Sequence, residues 1–446
     1  MASAVKDVPV AGRNGVIITK RPKTSGAGYR TYEVHQRERV GESTEAIKPA
    51  QLKSEDFRCD PYPLVGVLRE NYPCFRDWLA NCYWITQYND VTSISADAAN
   101  FESRPKLWYL GLESLGRDLR GELPVLQAQA QRMDAFAEPV AEQLVGSFVG
   151  SGATDLATRF AARYPLELLA KVLDLPDSAT SEFAGLYWRM QRGTSWDTAL
   201  QNDGKQALNA LVRLLEPLVA GRAQDPGEDM ISAMAGLGLE GGAVTAADVV
   251  TTLLAGDHET LHGSLANLFF LLLTNPDEFE KARSERRLLK LAYLETLRHS
   301  TPVLAVDRFA RHEVERFGRL LPEGALVKLS AAAANRDPRV FQDPDKFIVD
   351  RKDLCQREPR GMYRADGLGS GVTFGLGQPS KHPAIPEDRP RSLYAITRDT
   401  AVTASAVLLD RLNNLQLAAG IEPKLSALTV GEMHTCWKLP VTFVKK

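Results

Sequence analysis

The chain has 446 residues, of which 44% are hydrophobic and 25% charged, so it is long enough to bury a sizeable core. Its formal net charge of −2 gives no overall attraction to nucleic acid or to an anionic membrane, and we predict neither partner. The five cysteines are an odd number without CxxC spacing, which argues against a disulfide framework or a zinc site and favours a reducing cytoplasm.

Residues 1–50 are rich in Gly, Arg, Lys and Thr and carry a basic bias. We predict an N-terminal arm over 1–50, either solvated or docking an acidic partner, and a single domain over 51–446. No apolar run of signal-peptide length opens the sequence, and Leu265–Leu273 is too short to span a bilayer. We therefore expect a cytoplasmic protein.

The body of the chain has mainly helical spacing of its apolar residues. Tyr83–Tyr88 has strand-like composition, and short strands recur at Leu326–Leu329 and Leu439–Val444. The predicted fold class is therefore mainly α with small β-sheets. Helical spacing covers Met133–Phe148, Phe160–Leu173, Lys205–Ala220, Ala247–Thr274 and Glu280–His299.

Several motifs follow one another in the second half of the chain. Gly256-Asp257-His258-Glu259-Thr260 lies inside the longest predicted helix. Glu295-Thr296-Leu297-Arg298 places a carboxylate and a guanidinium one helical turn apart, where they can pair. Arg308, the run Asn335–Arg351 and the loop Phe374–His382, which reads FGLGQPSKH, come next. In this order, the motifs resemble the cytochrome P-450 family over nearly the whole chain from residue 60 onward.

The resemblance implies the cytochrome P-450 fold, a haem cofactor and several site residues. Glu259 and Thr260 match the acid and alcohol that relay protons to iron-bound dioxygen, although a threonine there can also bond back to a carbonyl. Arg308 matches an arginine that binds a haem propionate, with a structural ion pair as the alternative. Arg132 fits the arginine of a second propionate-binding pair, HxxxR, in which Ala128 replaces the histidine. Glu295 and Arg298 match the pair that locks a helix to the loop beneath the haem.

The loop that should present a cysteine thiolate to the haem iron contains no cysteine. Counting forward from Phe374 puts Lys381 at the cysteine position, while counting back from the following helix puts Arg391 there. A protonated lysine has no lone pair for a metal. His382 and Tyr394 are the remaining candidate iron ligands, because histidine and tyrosine ligate haem in other proteins, and His382 is the candidate metal ligand of this chain. Their ordinary alternatives are a surface histidine and a core aromatic residue.

Three functions follow from these observations, and whether the chain is an enzyme stays open. The first is a haem-free or weakly haem-binding auxiliary protein, similar to the cysteine-lacking relatives that accompany deoxysugar glycosyltransferases. A glycosyltransferase would dock at the proximal face or the N-terminal arm, and a small hydrophobic ligand could bind. The second is a haem enzyme with a non-thiolate ligand, performing peroxidase, dehydratase or rearrangement chemistry. The third is a P-450-type monooxygenase acting on a small hydrophobic substrate.

Overall fold

The computed structural model describes residues 10–11, 17–18, 47–256, 258–353, 393–428 and 433–446. Most of the predicted arm over 1–50 lies outside these residues, so its boundary stays a prediction. The described α-helices are α1 Glu55–Cys59, α2 Tyr62–Asn71, α3 Tyr88–Ala96, α4 Lys106–Tyr109, α5 Leu123–Gly146, α6 Tyr164–Val172, α7 Asp177–Arg192, α8 Thr198–Gln224, α9 Met230–Ala235, α10 Ala246–Ala255, α11 Glu259–Thr274, α12 Pro276–Ser284, α13 Arg286–His299, α14 Ala331–Ala334 and α15 Leu393–Arg411.

The strands are short and form five small sheets within the described residues. They are β1 Val10–Ala11, β2 Ile17–Ile18, β3 Phe75–Asp77, β4 Cys82–Ile85, β5 Phe101–Glu102, β6 Ala153–Asp155, β7 Ala305–Ala310, β8 Val314–Arg316, β9 Arg319–Leu321, β10 Leu326–Ser330, β11 Leu412–Leu417, β12 Leu425–Ala427, β13 His434–Cys436 and β14 Pro440–Lys445. The largest sheet has the order β3-β4-β10-β7-β5, with β4 and β10 parallel and the other pairs antiparallel.

Two of the predicted helices are each divided in the structure. Ala247–Thr274 is interrupted between α10 and α11, because α10 ends at Ala255 with a tight bond from the Gly256 amide to the Leu253 carbonyl at 3.0 Å. Glu280–His299 is divided by Glu285, whose extended backbone separates α12 from α13. Apolar spacing continues across both breaks, so periodicity alone did not reveal them.

The buried apolar side chains form one large cluster among the helices and two smaller clusters around the five-stranded sheet. Helix α11 belongs to the large cluster through Leu261, Leu265 and Phe269, which recur at helical spacing. The core therefore fixes α11 between the helical body and the C-terminal strands. Within the described ranges, no helix combines the length and the apolar character needed to cross a bilayer.

Candidate functional site

Glu295 and Arg298 form a fully buried ion pair on α13, with neither side chain exposed to solvent. Two guanidinium nitrogens of Arg298 donate to the two carboxylate oxygens, each at 2.7 Å. Arg298 also donates to the carbonyls of Asn335, Pro344 and Lys346, at 2.7–3.1 Å. A second arginine, Arg351, donates to the same carboxylate at 3.0 Å. The pair thus ties α13 to the chain from Asn335 to Arg351, as the motif suggested.

The loop between α4 and α5 runs along α10, and two of its arginines bond to α10, one of them next to the break between α10 and α11. Arg120 donates to the Ala255 carbonyl at 2.6 Å, which satisfies an acceptor that the helix end leaves open. Arg117 bonds the Asp248 carboxylate through both its backbone amide and its guanidinium, at 2.7–3.1 Å. Burial alone would raise the pKa of Asp248, but hydrogen bonds from Arg117 and Thr245 outweigh it and lower the pKa to about 2.

His258, in the break itself, belongs to a chain of polar side chains that sequence reasoning missed. Its Nδ1 lies 2.9 Å from the Tyr187 hydroxyl, and its Nε2 lies 3.3 Å from the Gln129 amide nitrogen. Gln191 donates to the same hydroxyl at 2.9 Å and accepts from Lys106 at 2.9 Å. The chain links α4, α5 and α7 to the helix break. No sequence motif joins these positions, which are distant along the chain.

One proton arrangement satisfies these contacts of the His258 imidazole. Because the Gln129 amide donates to Nε2, the ring proton sits on Nδ1 and is donated to Tyr187. The Tyr187 hydroxyl then points its own hydrogen at the Leu253 carbonyl, 3.5 Å away. The His258 imidazole is therefore bound on both sides, by residues of α5 and α7.

Of the predicted proton-relay pair, Glu259 and Thr260, only Thr260 has a described side chain. Thr260 is buried in the first turn of α11, with 4% of its surface exposed. Glu259 begins α11, and its side chain is not among those described. Asp257, which belongs to the same motif, lies outside the described residues. Their proposed proton relay stays a prediction.

Arg308 is a half-buried cation on β7 that forms no salt bridge with an acidic side chain among the described residues. Its guanidinium donates to the Asp307 carbonyl at 2.9 Å, while the Asp307 carboxylate pairs with Lys328 at 2.8 Å. Burial lowers the pKa of Arg308, and attraction to Tyr109 and Asp307 opposes that shift incompletely. A desolvated guanidinium of this kind suits an anionic group of a ligand.

Arg132, the other predicted propionate contact, is placed elsewhere. Its guanidinium donates to the Lys171 carbonyl at 2.7 Å and to Asp174 at 3.0 Å, both at the end of α6, and lies over the Phe136 ring. None of these partners belongs to the strand that carries Arg308. The structure therefore does not bring the two predicted arginines to one shared partner.

The predicted axial-ligand positions are not among the described side chains. Lys381, His382 and Arg391 lie outside the described residues, and Tyr394 contributes only its backbone, in the first turn of α15. Across the described part of the chain, no group of three or more His, Cys, Asp or Glu residues could hold a metal ion. The predictions for these four residues stay open.

The four described cysteines are free thiols in structural positions. Cys74, Cys82 and Cys436 are buried, and Cys59 is half-buried. Burial raises the pKa of Cys74 and of Cys436 to about 12, and it raises that of Cys82 as well. The Cys436 thiol donates to the Lys438 carbonyl at 3.3 Å. None of the three buried thiols is prepared to act as a thiolate at neutral pH.

Sequence reasoning also missed an aromatic cluster on the face of α11 that meets α7. His262 lies between Trp188 of α7 and Trp437, which follows β13, with ring centroids 5.7 and 5.6 Å away. Burial lowers the pKa of His262 to about 4, so this imidazole is neutral near pH 7. A histidine four residues after His258 carries no recognisable signal in the sequence, and its two indole neighbours lie far from it along the chain.

The described residues fit a haem in one respect. The guanidinium of Arg308 matches a propionate carboxylate, since it is desolvated and lacks an anionic partner of its own. Arg132 does not fit that role, because its guanidinium is already bonded to Lys171 and Asp174. The buried thiols do not fit the role of axial ligand. Among the described residues, Arg308 thus offers a guanidinium that could pair with an anionic group, and no cysteine is held as a thiolate.

Comparisons with known proteins agree with the motifs. The sequence model of the cytochrome P-450 family matches residues 243–354. The chain is 29% identical over 293 residues to cytochrome P-450 107B1 of Saccharopolyspora erythraea, covering 63% of each chain, so less than two thirds of that relative is spanned. It is 27% identical over 364 residues to 6-deoxyerythronolide B hydroxylase of the same organism, covering 74% of this chain and 86% of that one.

Solved structures show the same architecture. CYP109E1 of Bacillus megaterium, in complex with testosterone, superposes with a TM-score of 0.68 at 21% identity, covering 86% of this chain and 99% of that one. The cytochrome P-450 PksS of the Bacillus subtilis bacillaene polyketide synthase gives 0.70 at 20% identity, covering 90% and 100%. At this identity the likeness is evidence about the fold alone. The predicted fold, mainly α with small β-sheets, is confirmed.

Proposed function

We propose that this chain does not use thiolate-based oxygen chemistry. The premise is that the chain has the cytochrome P-450 fold and that its family match and relatives support membership of that superfamily. It acts instead as a binding or auxiliary protein that stabilises or activates a partner glycosyltransferase. One observation carries this proposal: no cysteine occurs between Cys355 and Cys436, the part of the sequence in which the family places its iron ligand.

The described cysteines support the same conclusion. A cysteine that ligates haem iron does so as a thiolate. Cys436 is held as a thiol by burial and by its bond to Lys438, and its backbone amide bonds Asn267 at 3.1 Å. Moving this residue toward an iron would break those contacts. Cys74 and Cys82 lie beside or within the five-stranded sheet, in the two smaller core clusters. Cys59 ends α1 and pairs with no metal-binding group among the described residues.

The partner is proposed from the resemblance to cysteine-lacking auxiliary relatives of deoxysugar glycosyltransferases. A protein that binds the folded transferase and not its unfolded chain stabilises it by mass action, and needs no catalytic residue of its own. The buried Glu295–Arg298 ion pair is compatible with this role, because it stabilises the scaffold and takes no part in oxygen chemistry. Arg308 remains able to hold an anionic ligand group.

A second candidate function is a P-450-type monooxygenase on a small hydrophobic substrate. It is favoured by the relatives, one of which is named a hydroxylase, and by the buried Thr260 beside a helix break. A haem enzyme with His382 as ligand is the related alternative. In either case Arg308 would hold a propionate, and the bound haem would supply oxygen or peroxide activation.

Purified protein tests the proposal through its absorption spectrum and a pyridine haemochrome assay. We expect haem well below one equivalent per chain after expression with added haem precursor. We also expect a co-expressed glycosyltransferase from the same source to retain more activity with this chain than without it. Stoichiometric haem together with a hydroxylated product, formed with a reductase and dioxygen, would establish the second candidate instead.

A further inference from the structure

A cavity of about 360 Å³ lies between helix α2, helix α14 and the chain around Asp345. It is much larger than one water molecule, which takes about 30 Å³ in the liquid, and it falls in the range of small-molecule sites, about 300–1,000 Å³. Neither Arg308 nor Thr260 lines it, so it is a different site from the one described above. Its polar lining consists of two arginines, two aspartates and a tyrosine, namely Arg69, Arg336, Asp60, Asp345 and Tyr62.

Arg69 presents unused hydrogen-bond donors to this cavity. Its side chain is only 12% exposed, and it donates from Nε to Glu70 at 2.9 Å and from Nη1 to the Ala333 carbonyl at 3.0 Å. Its Nη2 donates to none of the described residues and lies 4.0 Å from the position that a Cβ on Gly66 would take, and Gly66 also lines the cavity. A mostly buried guanidinium with open donors suits a carboxylate of a ligand.

The second arginine of the lining, Arg336, is fixed by its neighbours. Its guanidinium carbon lies 3.4 Å from the centre of the Tyr62 ring, and its Nε and Nη2 donate to the His299 carbonyl at 3.0 and 2.7 Å. Its Nη1 donates to Asp345 at 3.2 Å. Asp60 is exposed and accepts from the Tyr62 amide at 3.3 Å. The lining therefore holds two positive and two negative side chains in a fixed arrangement.

A glycine in the middle of α2 keeps the cavity open. Gly66 lies within the helix Tyr62–Asn71, where glycine lowers helix stability relative to alanine. No close contact requires a glycine there, because beyond the adjacent chain only the Nη2 of Arg69 lies within 4 Å of the Cβ position. A larger side chain at Gly66 would instead extend into the cavity that this residue lines. The glycine thus leaves space that a ligand can fill.

We propose that this cavity binds a small zwitterion that carries a carboxylate and an ammonium group, as a free amino acid does. The carboxylate pairs with the open Nη2 donors of Arg69, and the ammonium group pairs with the Asp60 carboxylate. The two aspartates disfavour a simple anion and the two arginines disfavour a simple cation, whereas a zwitterion complements both signs of charge. The proposal goes beyond the proposed function, since binding here involves neither haem nor a partner protein.

Isothermal titration of the full-length protein with four probes tests the proposal. L-alanine and γ-aminobutyrate are zwitterions that differ in the separation of their charges, while propionate and propylammonium carry one charge each. We expect at least one zwitterion to bind with a Kd of about 1 mM or tighter. We expect both singly charged probes to bind about tenfold or more weakly than that zwitterion. A smaller preference, or no binding of either zwitterion, would refute the proposal.

A variant that fills the cavity tests where the ligand binds. Gly66→Leu also removes a glycine from a helix, so it should fold as stably as the wild type and bind the zwitterion about tenfold or more weakly. Gly185→Leu is the matched control, because Gly185 is an exposed residue of α7 with open space around its Cβ position. The control should bind as the wild type does. Unchanged affinity in folded Gly66→Leu would refute the proposed location.

Two further variants test the charges. Asp60→Asn keeps an acceptor for the Tyr62 amide but removes the negative charge, so it should weaken zwitterion binding about tenfold and leave propionate binding no weaker. This difference between probes would not arise from a purely structural effect. Arg69→Met removes the guanidinium, should abolish the binding of both zwitterions, and serves if Gly66→Leu fails to fold. Wild-type affinity for the zwitterion in either folded variant would refute the proposed ligand class.

Discussion

Replacing Arg298 by lysine tests how much one buried guanidinium stabilises the contact between α13 and the chain from Asn335 to Arg351. Arg298 is fully buried and donates five hydrogen bonds, two to Glu295 and three to backbone carbonyls. A lysine keeps the charge but offers three donors from a single nitrogen, so at least two acceptors lose their partner. Hydrogen bonds to charged groups contribute roughly 1.5–3 kcal/mol each. We therefore expect Arg298→Lys to lower the free energy of unfolding by about 3–5 kcal/mol, as for other broken buried pairs.

Urea unfolding followed by circular dichroism and by tryptophan fluorescence measures this loss, and coincident transitions validate the free energies. Arg286→Lys is the matched control, because Arg286 pairs with Asp410 on the surface and both side chains are more than half exposed. We expect the control to change the free energy of unfolding by no more than about 0.5 kcal/mol. A loss below about 1 kcal/mol for Arg298→Lys would refute the reasoning about buried hydrogen bonds.

Two further predictions concern the loop that runs along α10. A methyl group at Gly116 would overlap the Ala247 backbone, so Gly116→Ala should lower the free energy of unfolding by about 1–3 kcal/mol. Gly121 has open space around it, so Gly121→Ala should leave the free energy of unfolding nearly unchanged. Urea unfolding of the two variants and the wild type measures the difference. The folded pKa of Asp248 is lowered to about 2, so the stability it contributes through Arg117 is present above its unfolded pKa near 3.8 and lost as pH falls toward 2. Thermal melts should therefore show Asp248→Asn less stable than the wild type at pH 6 and nearly equal to it at pH 2; a constant difference would contradict this linkage.

The parts of the fold that depend on local sequence were predictable. Glu295 and Arg298 stand one helical turn apart, so their pairing follows from helix geometry and needs no tertiary information. The strand predicted at Leu326–Leu329 matches β10, because its apolar β-branched and leucine residues fit a buried strand. Short motifs of this kind also carried the family resemblance.

The parts that depend on contacts between distant segments were not predictable. The break after Ala255 is stabilised by Arg120, a residue 135 positions away, and apolar periodicity runs on through it. His258 finds partners on α5 and α7, and His262 meets indoles from residues 188 and 437. Such contacts are set by tertiary packing, which no local spacing encodes. Arg132 was assigned from its position in a pattern, and its partners near the end of α6 could be identified only from the fold.

The haem content of the purified chain tests the central claim most directly. We predict that the pyridine haemochrome assay finds haem far below one equivalent, and that the reduced, carbon monoxide-treated sample shows no thiolate-type absorption band. One equivalent of haem with a thiolate-type band would contradict the account, because it would require a cysteine ligand where the sequence from 356 to 435 has none.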